Sequence, residues 1–129
     1  MLREERYYLI KATDVAFIFM KKTYRIRKNE EFSRIMQEKH SVSSKCFVLY
    51  FSNKKEDKCR VGISVSKKLG SAVERNKIKR QVREMAKSVI DFDNDSMDYI
   101  IIVRQGYLNN IYQDNLADLE KTLKKAIIV

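Results

Sequence analysis

Arg60-Val61-Gly62-Ile63-Ser64-Val65-Ser66 runs without a break into Lys67-Lys68-Leu69-Gly70-Ser71-Ala72-Val73-Glu74-Arg75-Asn76-Lys77-Ile78-Lys79-Arg80-Gln81-Val82-Arg83-Glu84. In the first part Val61, Ile63 and Val65 alternate with Arg60, Gly62, Ser64 and Ser66. That is the period of a strand with one face in a core and one small and polar. The period then changes. Ser71 and Glu74 fit the S-x-x-E capping box, which opens a helix running to about Ile90, or starting later, nearer Arg75. At roughly 100° per residue, Ile78, Val82, Met85 and Val89 fall on one side of it. Asn76, Arg80, Arg83 and Lys87 fall on the other, with Arg75, Lys77 and Lys79 along the flanks.

The neighbouring segments extend this pattern. Upstream, Cys46-Phe47-Val48-Leu49-Tyr50-Phe51 is a β-rich run, with Cys46, Val48 and Tyr50 on one face and Phe47, Leu49 and Phe51 on the other. The polar loop Asn53 to Lys58 follows, so this run and the 59–66 run are expected to form a hairpin. In that register Cys59 would oppose about Phe51, and no disulfide with Cys46 is expected. Further upstream, Asn29 is a candidate helix cap, with Glu30 and Glu31 at the positive end of the dipole and Phe32, Ile35, Met36 and Lys39 at helical spacing. That helix is expected over about 30–39, with room for a short extra strand around 41–44. Downstream, an acidic loop from Asp91 to Asp98, read as an exposed turn, precedes Tyr99-Ile100-Ile101-Ile102-Val103-Arg104, a run suited to a strand buried on both faces. Leu116, Leu119, Leu123 and Ile127 form the stripe of a last helix. The expected fold class is α+β: a single-layer sheet of about four strands packed with three helices, with a β-α-β crossover through the basic helix.

At 129 residues the chain is one domain's worth, and 44% hydrophobic residues suffice for a core. With no proline and three glycines it is not collagen-like or proline-rich. No stretch approaches the ~20 apolar residues that span a bilayer, so no membrane partner is expected and the location is read as cytoplasmic. Two cysteines and one histidine cannot supply a four-ligand zinc site, and His40 has no second histidine for acid–base work. The run from Asp91 has Ser96 where a calcium-binding EF-hand loop needs glycine and Ile102 where it needs glutamate. No metal ligands or catalytic side chains are assigned.

Charge carries more information. The chain has 27 Lys+Arg against 17 Asp+Glu, a net +10. Residues 1–19 hold three basic and three acidic residues, so the excess lies wholly in 20–129. Residues 1–19 are read as an appendage or a start-site artefact, with an ordinary first element as the alternative, and 20–129 as the functional domain. Between Arg60 and Lys87 nine basic residues stand against two acidic ones, Glu74 and Glu84. Solvated helix faces usually mix both signs, whereas these like charges repel unless an anion neutralises them. Arginine grips phosphate bidentately and asparagine can read a base edge, so nucleic acid is the first candidate partner. A merely solubilising face is the plain alternative.

The stretch from Arg60 to Glu84 resembles the signature of the bacterial ribonuclease P protein subunit, "VGxSVSKKxGxAVxRNxxKRxxRE". Lys28 to Phe32, Phe47 to Tyr50 and Tyr99 to Arg104 fit the same family, and the resemblance covers about 20–125. It implies a protein that binds the ribonuclease P catalytic RNA and the 5′ leader of precursor tRNA, promoting endonucleolytic removal of the leader. The RNA carries the chemistry and the magnesium ions, and the protein alone holds no cofactor. It further implies that Lys67, Lys68, Arg75, Asn76, Lys77, Lys79, Arg80 and Arg83, extended along the helix to Lys87, face the catalytic RNA. Phe32, Met36 and Tyr50 would line the cleft for the single-stranded leader, with plain core packing as the alternative for each. The family's crossover is left-handed, against the usual hand. Lys77 stands where the motif usually has a second arginine, and Met36 where a second aromatic is typical. A non-catalytic RNA-binding module, such as a ribosomal protein or RNA chaperone, is the alternative function.

Overall fold

The computed structural model describes residues 24–128, with side chains to residue 126. The readings of residues 1–19 and of the Ile127 side chain lie outside these. The elements are α1 (Asn29–Gln37), β1 (Ser41–Ser43), β2 (Phe47–Asn53), β3 (Val61–Val65), α2 (Ala72–Val89), β4 (Met97–Val103) and α3 (Tyr112–Ile128). Turns of 3₁₀ helix at Lys67–Leu69 and Gln105–Asn109 connect β3 to α2 and β4 to α3. The four strands and three α-helices match the expected α+β class, and the short extra strand is β1.

The strand order is β1-β2-β4-β3. β4 runs antiparallel to β2, from Phe47↔Val103 to Asn53↔Met97, and parallel to β3, from Val61↔Tyr99 to Val65↔Val103. The expected hairpin between β2 and β3 therefore does not form. β4 is apolar on both faces and takes an interior position, paired on both edges, between β2, itself interior beside β1, and β3, which ends the sheet. The chain leaving β2 instead passes around the approach to β4, where the Lys54 amide donates to the Ser96 carbonyl and the Cys59 amide to that of Phe92. Cys46 and Cys59 are both free and buried, the one preceding β2 and the other preceding β3, so the Cys59–Phe51 register is also replaced.

One face of the sheet is covered along most of its extent, with Ile63 left partly open. Phe47, Leu49, Phe51, Val61, Val65, Tyr99, Ile101 and Val103 meet the α2 stripe (Ile78, Val82, Met85, Val89) and the α3 stripe (Leu119, Leu123) in one continuous core. Cys46 joins this core rather than sharing a face with Val48 and Tyr50. It lies just before the strand, at a corner where Ser44 Oγ accepts hydrogen bonds from the amides of Cys46 and Phe47 at 3.3 and 3.1 Å. The other face carries a smaller cluster, Ile26, Ile35 and Ile100, with Phe32, Tyr50 and Ile102 packed on it and half-buried.

Two local expectations are corrected. Asn29 is the first helical residue and Lys28 is the cap, without a side-chain cap bond. The segment from Asp91 to Asp98 is not uniformly an exposed turn: Asp91 and Asp93 are exposed, but Asp98 is wholly buried in β4. It is held there by Arg60, whose amide donates to Asp98 Oδ1 at 2.9 Å. A pair separated by 38 residues leaves no periodic trace.

Candidate nucleic-acid interface

The basic helix begins where its capping box places it. Ser71 Oγ accepts from the Glu74 amide, and Glu74 Oε1 accepts from the Ser71 amide at 3.1 Å. The backbone donor of Ser71 holds the Glu74 carboxyl below the ordinary glutamate range. Glu84, the other acid of the segment, is buried. Neither is spread over the cation face. Along that face Asn76, Lys77 and Arg80 are exposed, while Arg75, Lys79, Arg83 and Lys87 are half-buried along their stems. Lys67 and Lys68 are exposed on the 3₁₀ turn, where Ser66 Oγ accepts from the Lys68 amide. The predicted cations thus reach the surface of α2 and of the turn before it, and Lys79 and Arg83 line one cavity. Arg60, counted with them in the sequence, does not: its side chain is buried among Asp98, Glu31 and Glu56.

The cleft on the half-covered face is built by register. Tyr50 and Gly62 flank Ile100 in one cross-sheet row, and Val48 and Ser64 flank Ile102 in the next. α1 covers part of the first row and leaves the second half-open. Phe32 sits directly on Gly62, where a Cβ would lie 2.6 Å from Phe32 Cζ. Glycine at 62 is therefore a packing requirement, since any side chain would push the ring off the sheet. Phe32 and Tyr50 share the Ile26–Ile35–Ile100 cluster. Met36 is half-buried but is not part of that cluster among the described residues.

The two surfaces meet. A cavity of about 500 Å³ opens between α1, β3 and α2, lined by Phe32, Ser33, Ser64, Lys79 and Arg83 together with Arg25, Arg27 and Asn29. No carboxylate lines it. Burial pulls the Arg83 pKa below the ordinary arginine value, and the charges of Arg25 and Arg80 add to this, the signature of crowded cations. Arg25, Arg27 and Ser64 were not singled out from sequence. Arg25 reaches the site because it bridges to Val61 along the β3 edge. Its membership in a basic run before α1 was the available signal. Of the three predicted cleft residues only Phe32 lines this cavity, Tyr50 and Met36 lying outside it; a cavity with four cations and one aromatic ring suits a phosphodiester chain with an unstacked base.

Among the described residues no group of three or more His, Cys, Asp and Glu could hold a metal, and no helix is long and apolar enough to cross a membrane.

Comparison with known proteins gives consistent matches. The Ribonuclease P family model matches residues 20–127. The ribonuclease P protein component of Streptococcus pyogenes serotype M5 is 38% identical over 107 residues, covering 83% of this chain and 89% of that protein. The ribonuclease P protein structure from Staphylococcus aureus superposes with a TM-score of 0.71 at 47% identity, covering 80% of this chain and 94% of that one. That from Thermotoga maritima gives 0.67 at 31% identity, covering 78% and 96%.

Proposed function

The chain belongs to the ribonuclease P protein family, and from that premise we propose that it binds the catalytic RNA of ribonuclease P and the 5′ leader of precursor tRNA. It is then the protein part of a ribonucleoprotein endoribonuclease that matures tRNA 5′ ends in the cytoplasm. The observation that carries this reading is the cavity at the β3 side of the sheet whose lining includes Lys79 and Arg83 of the basic helix, Arg25 and Arg27, and the Phe32 ring. One molecule there presents a phosphate-neutralising surface and a base-stacking surface side by side.

The division of labour follows from the side chains. Lys67, Lys68, Arg75, Lys77, Lys79, Arg80, Arg83 and Lys87 neutralise phosphates of the catalytic RNA, and Asn76 contacts a base edge or sugar hydroxyl. Neutralisation lowers the repulsion between the two RNAs and favours magnesium on the RNA, where the hydrolytic chemistry resides. Phe32 and Tyr50 receive leader bases by stacking, with Met36 at the edge as an apolar, non-stacking neighbour. No side chain of this chain is assigned to the chemical step.

The test is cleavage of a precursor tRNA at low magnesium with a bacterial ribonuclease P RNA. Cleavage is expected only when RNA and protein are both present. Cleavage by the protein alone would place catalytic groups in it. Tight binding to the RNA without a gain in cleavage would favour a generic RNA-binding module. If six to eight cations engage phosphate, log K should fall by roughly 0.7–0.9 per contact per decade of salt, and a slope near zero would sink the electrostatic account.

A further inference from the structure

Arg60 belongs neither to the cation surface nor to the cleft wall, yet it grips the helix that forms the cleft. Its side chain is 7% exposed and reaches Glu31 on α1, Asp98 in β4 at 3.4 Å and Glu56 in the preceding loop at 3.3 Å. Asp98 also accepts from the Arg60 amide, so Arg60 is fastened to the central strand by backbone and side chain together. Burial by itself would lower the Arg60 pKa, but the Glu31 hydrogen bond and the Asp98 charge outweigh it and raise the value. Two residues along, Gly62 carries the Phe32 ring. Consecutive residues of α1, Glu31 and Phe32, are thus held by Arg60 and Gly62 at the start of β3.

α1 needs such a hold. It has nine residues and buries one of them, Ile35, whereas α2 buries six. At the C-terminal end of α1 the Ser52 hydroxyl donates to Glu38 at 2.6 Å, so it is the N-terminal half, beyond the Phe32 packing, that depends on Arg60. A guanidinium is a planar fork that reaches two carboxylates at a set angle, so it transmits the rigidity of β4 to α1. We propose that Arg60 is a positioning residue for leader recognition: through Glu31 it sets the angle of α1 over the sheet, and so where the Phe32 ring stands in the cavity. This rests on the cleft reading given above.

The test uses holoenzyme reconstituted with a bacterial ribonuclease P RNA. The readout is the ratio of its affinities for precursor tRNA with a leader and for leaderless tRNA. Glu31→Gln is the informative variant, because Arg60 keeps Asp98 and is not left as an unpaired buried charge. Glu31→Gln and Arg60→Lys should each lower the ratio about fivefold, with leaderless affinity and affinity for the RNA subunit unchanged. Glu56→Gln should leave the ratio as it is, because that side chain is 64% exposed and the two other carboxylates remain. Phe32→Ala should lose less in the Glu31→Gln background than in wild type, since both act on one wall. An unchanged ratio in Glu31→Gln, or equal losses on both substrates, overturns the positioning role. A wild-type holoenzyme with no leader-dependent gain overturns the cleft reading instead.

Discussion

The two faces of the sheet are built from the same strands and are finished differently. On the covered face, α2 and α3 bury a continuous layer in which Leu49, Val82, Met85, Ile101 and Leu119 are wholly inaccessible. On the other face, α1 covers Ile35 and Ile100 and leaves Phe32, Tyr50 and Ile102 half-exposed. The covered face therefore holds the stability. The half-covered face keeps apolar area available for a partner, at the expense of the burial it would otherwise contribute. The polar devices differ in the same way. α2 is set by a local capping box, whereas α1 has no side-chain N-cap and is tied down from other parts of the chain, by Arg60 on Glu31 and by Ser52 on Glu38 just past its last turn.

Substitutions can sharpen or break this contrast. Met85→Ala, on the covered face, should cost about 2–5 kcal/mol of stability in denaturant unfolding, with leader discrimination in the surviving folded fraction unchanged. Tyr50→Ala, on the half-covered face, should do the reverse. Precursor binding by the holoenzyme should weaken by ~1–3 kcal/mol relative to leaderless tRNA, with a smaller stability loss than that of Met85→Ala. If Tyr50→Ala destabilises as much as Met85→Ala and leaves leader binding alone, the second face is simply core. Ser71→Ala removes the cap of α2 and should cost about 1 kcal/mol in the same unfolding assay, weakening RNA binding only through lost folded population. The smallest expected effect is a pH effect on α1. The Arg60 hydrogen bond holds the Glu31 carboxyl below the ordinary glutamate range. Its contribution is complete above the unfolded pKa, near ~4.3, and is lost as pH falls through the lower folded value. Thermal melts should then show wild type losing more stability than Glu31→Gln on acidification below about pH 5. Parallel curves would mean that the Glu31 contact contributes nothing.

Much of the site was legible because it is local. The alternation of Val61, Ile63 and Val65, the Ser71–Glu74 box and the stripe from Ile78 to Val89 each lie within one element, so periodicity reports them. The cation surface follows from the same helix, since every residue opposite the apolar stripe must face outward. Phe32 and Tyr50 came only through the family resemblance, and the structure adds why they meet: Gly62 lets the Phe32 ring lie on the sheet beside Ile100. Arg25, Arg27 and Ser64 were missed because they reach the cavity from two separate segments, the stretch before α1 and β3, that only the fold brings together.

The sequence by itself determined which segments become strands and helices, which face of each is apolar, and where positive charge accumulates, because these depend on residues a few positions apart. Only the tertiary structure decided that β4 lies between β2 and β3, that Arg60 is a buried hub outside the cation surface, and that Lys79 and Arg83 of the basic helix share a cavity with Phe32. Those outcomes depend on competition among long-range pairings. A strand that is apolar on both faces takes the interior of the sheet, and an arginine beside a buried carboxylate is drawn inward to neutralise it. Neither result is encoded in the spacing of neighbouring residues.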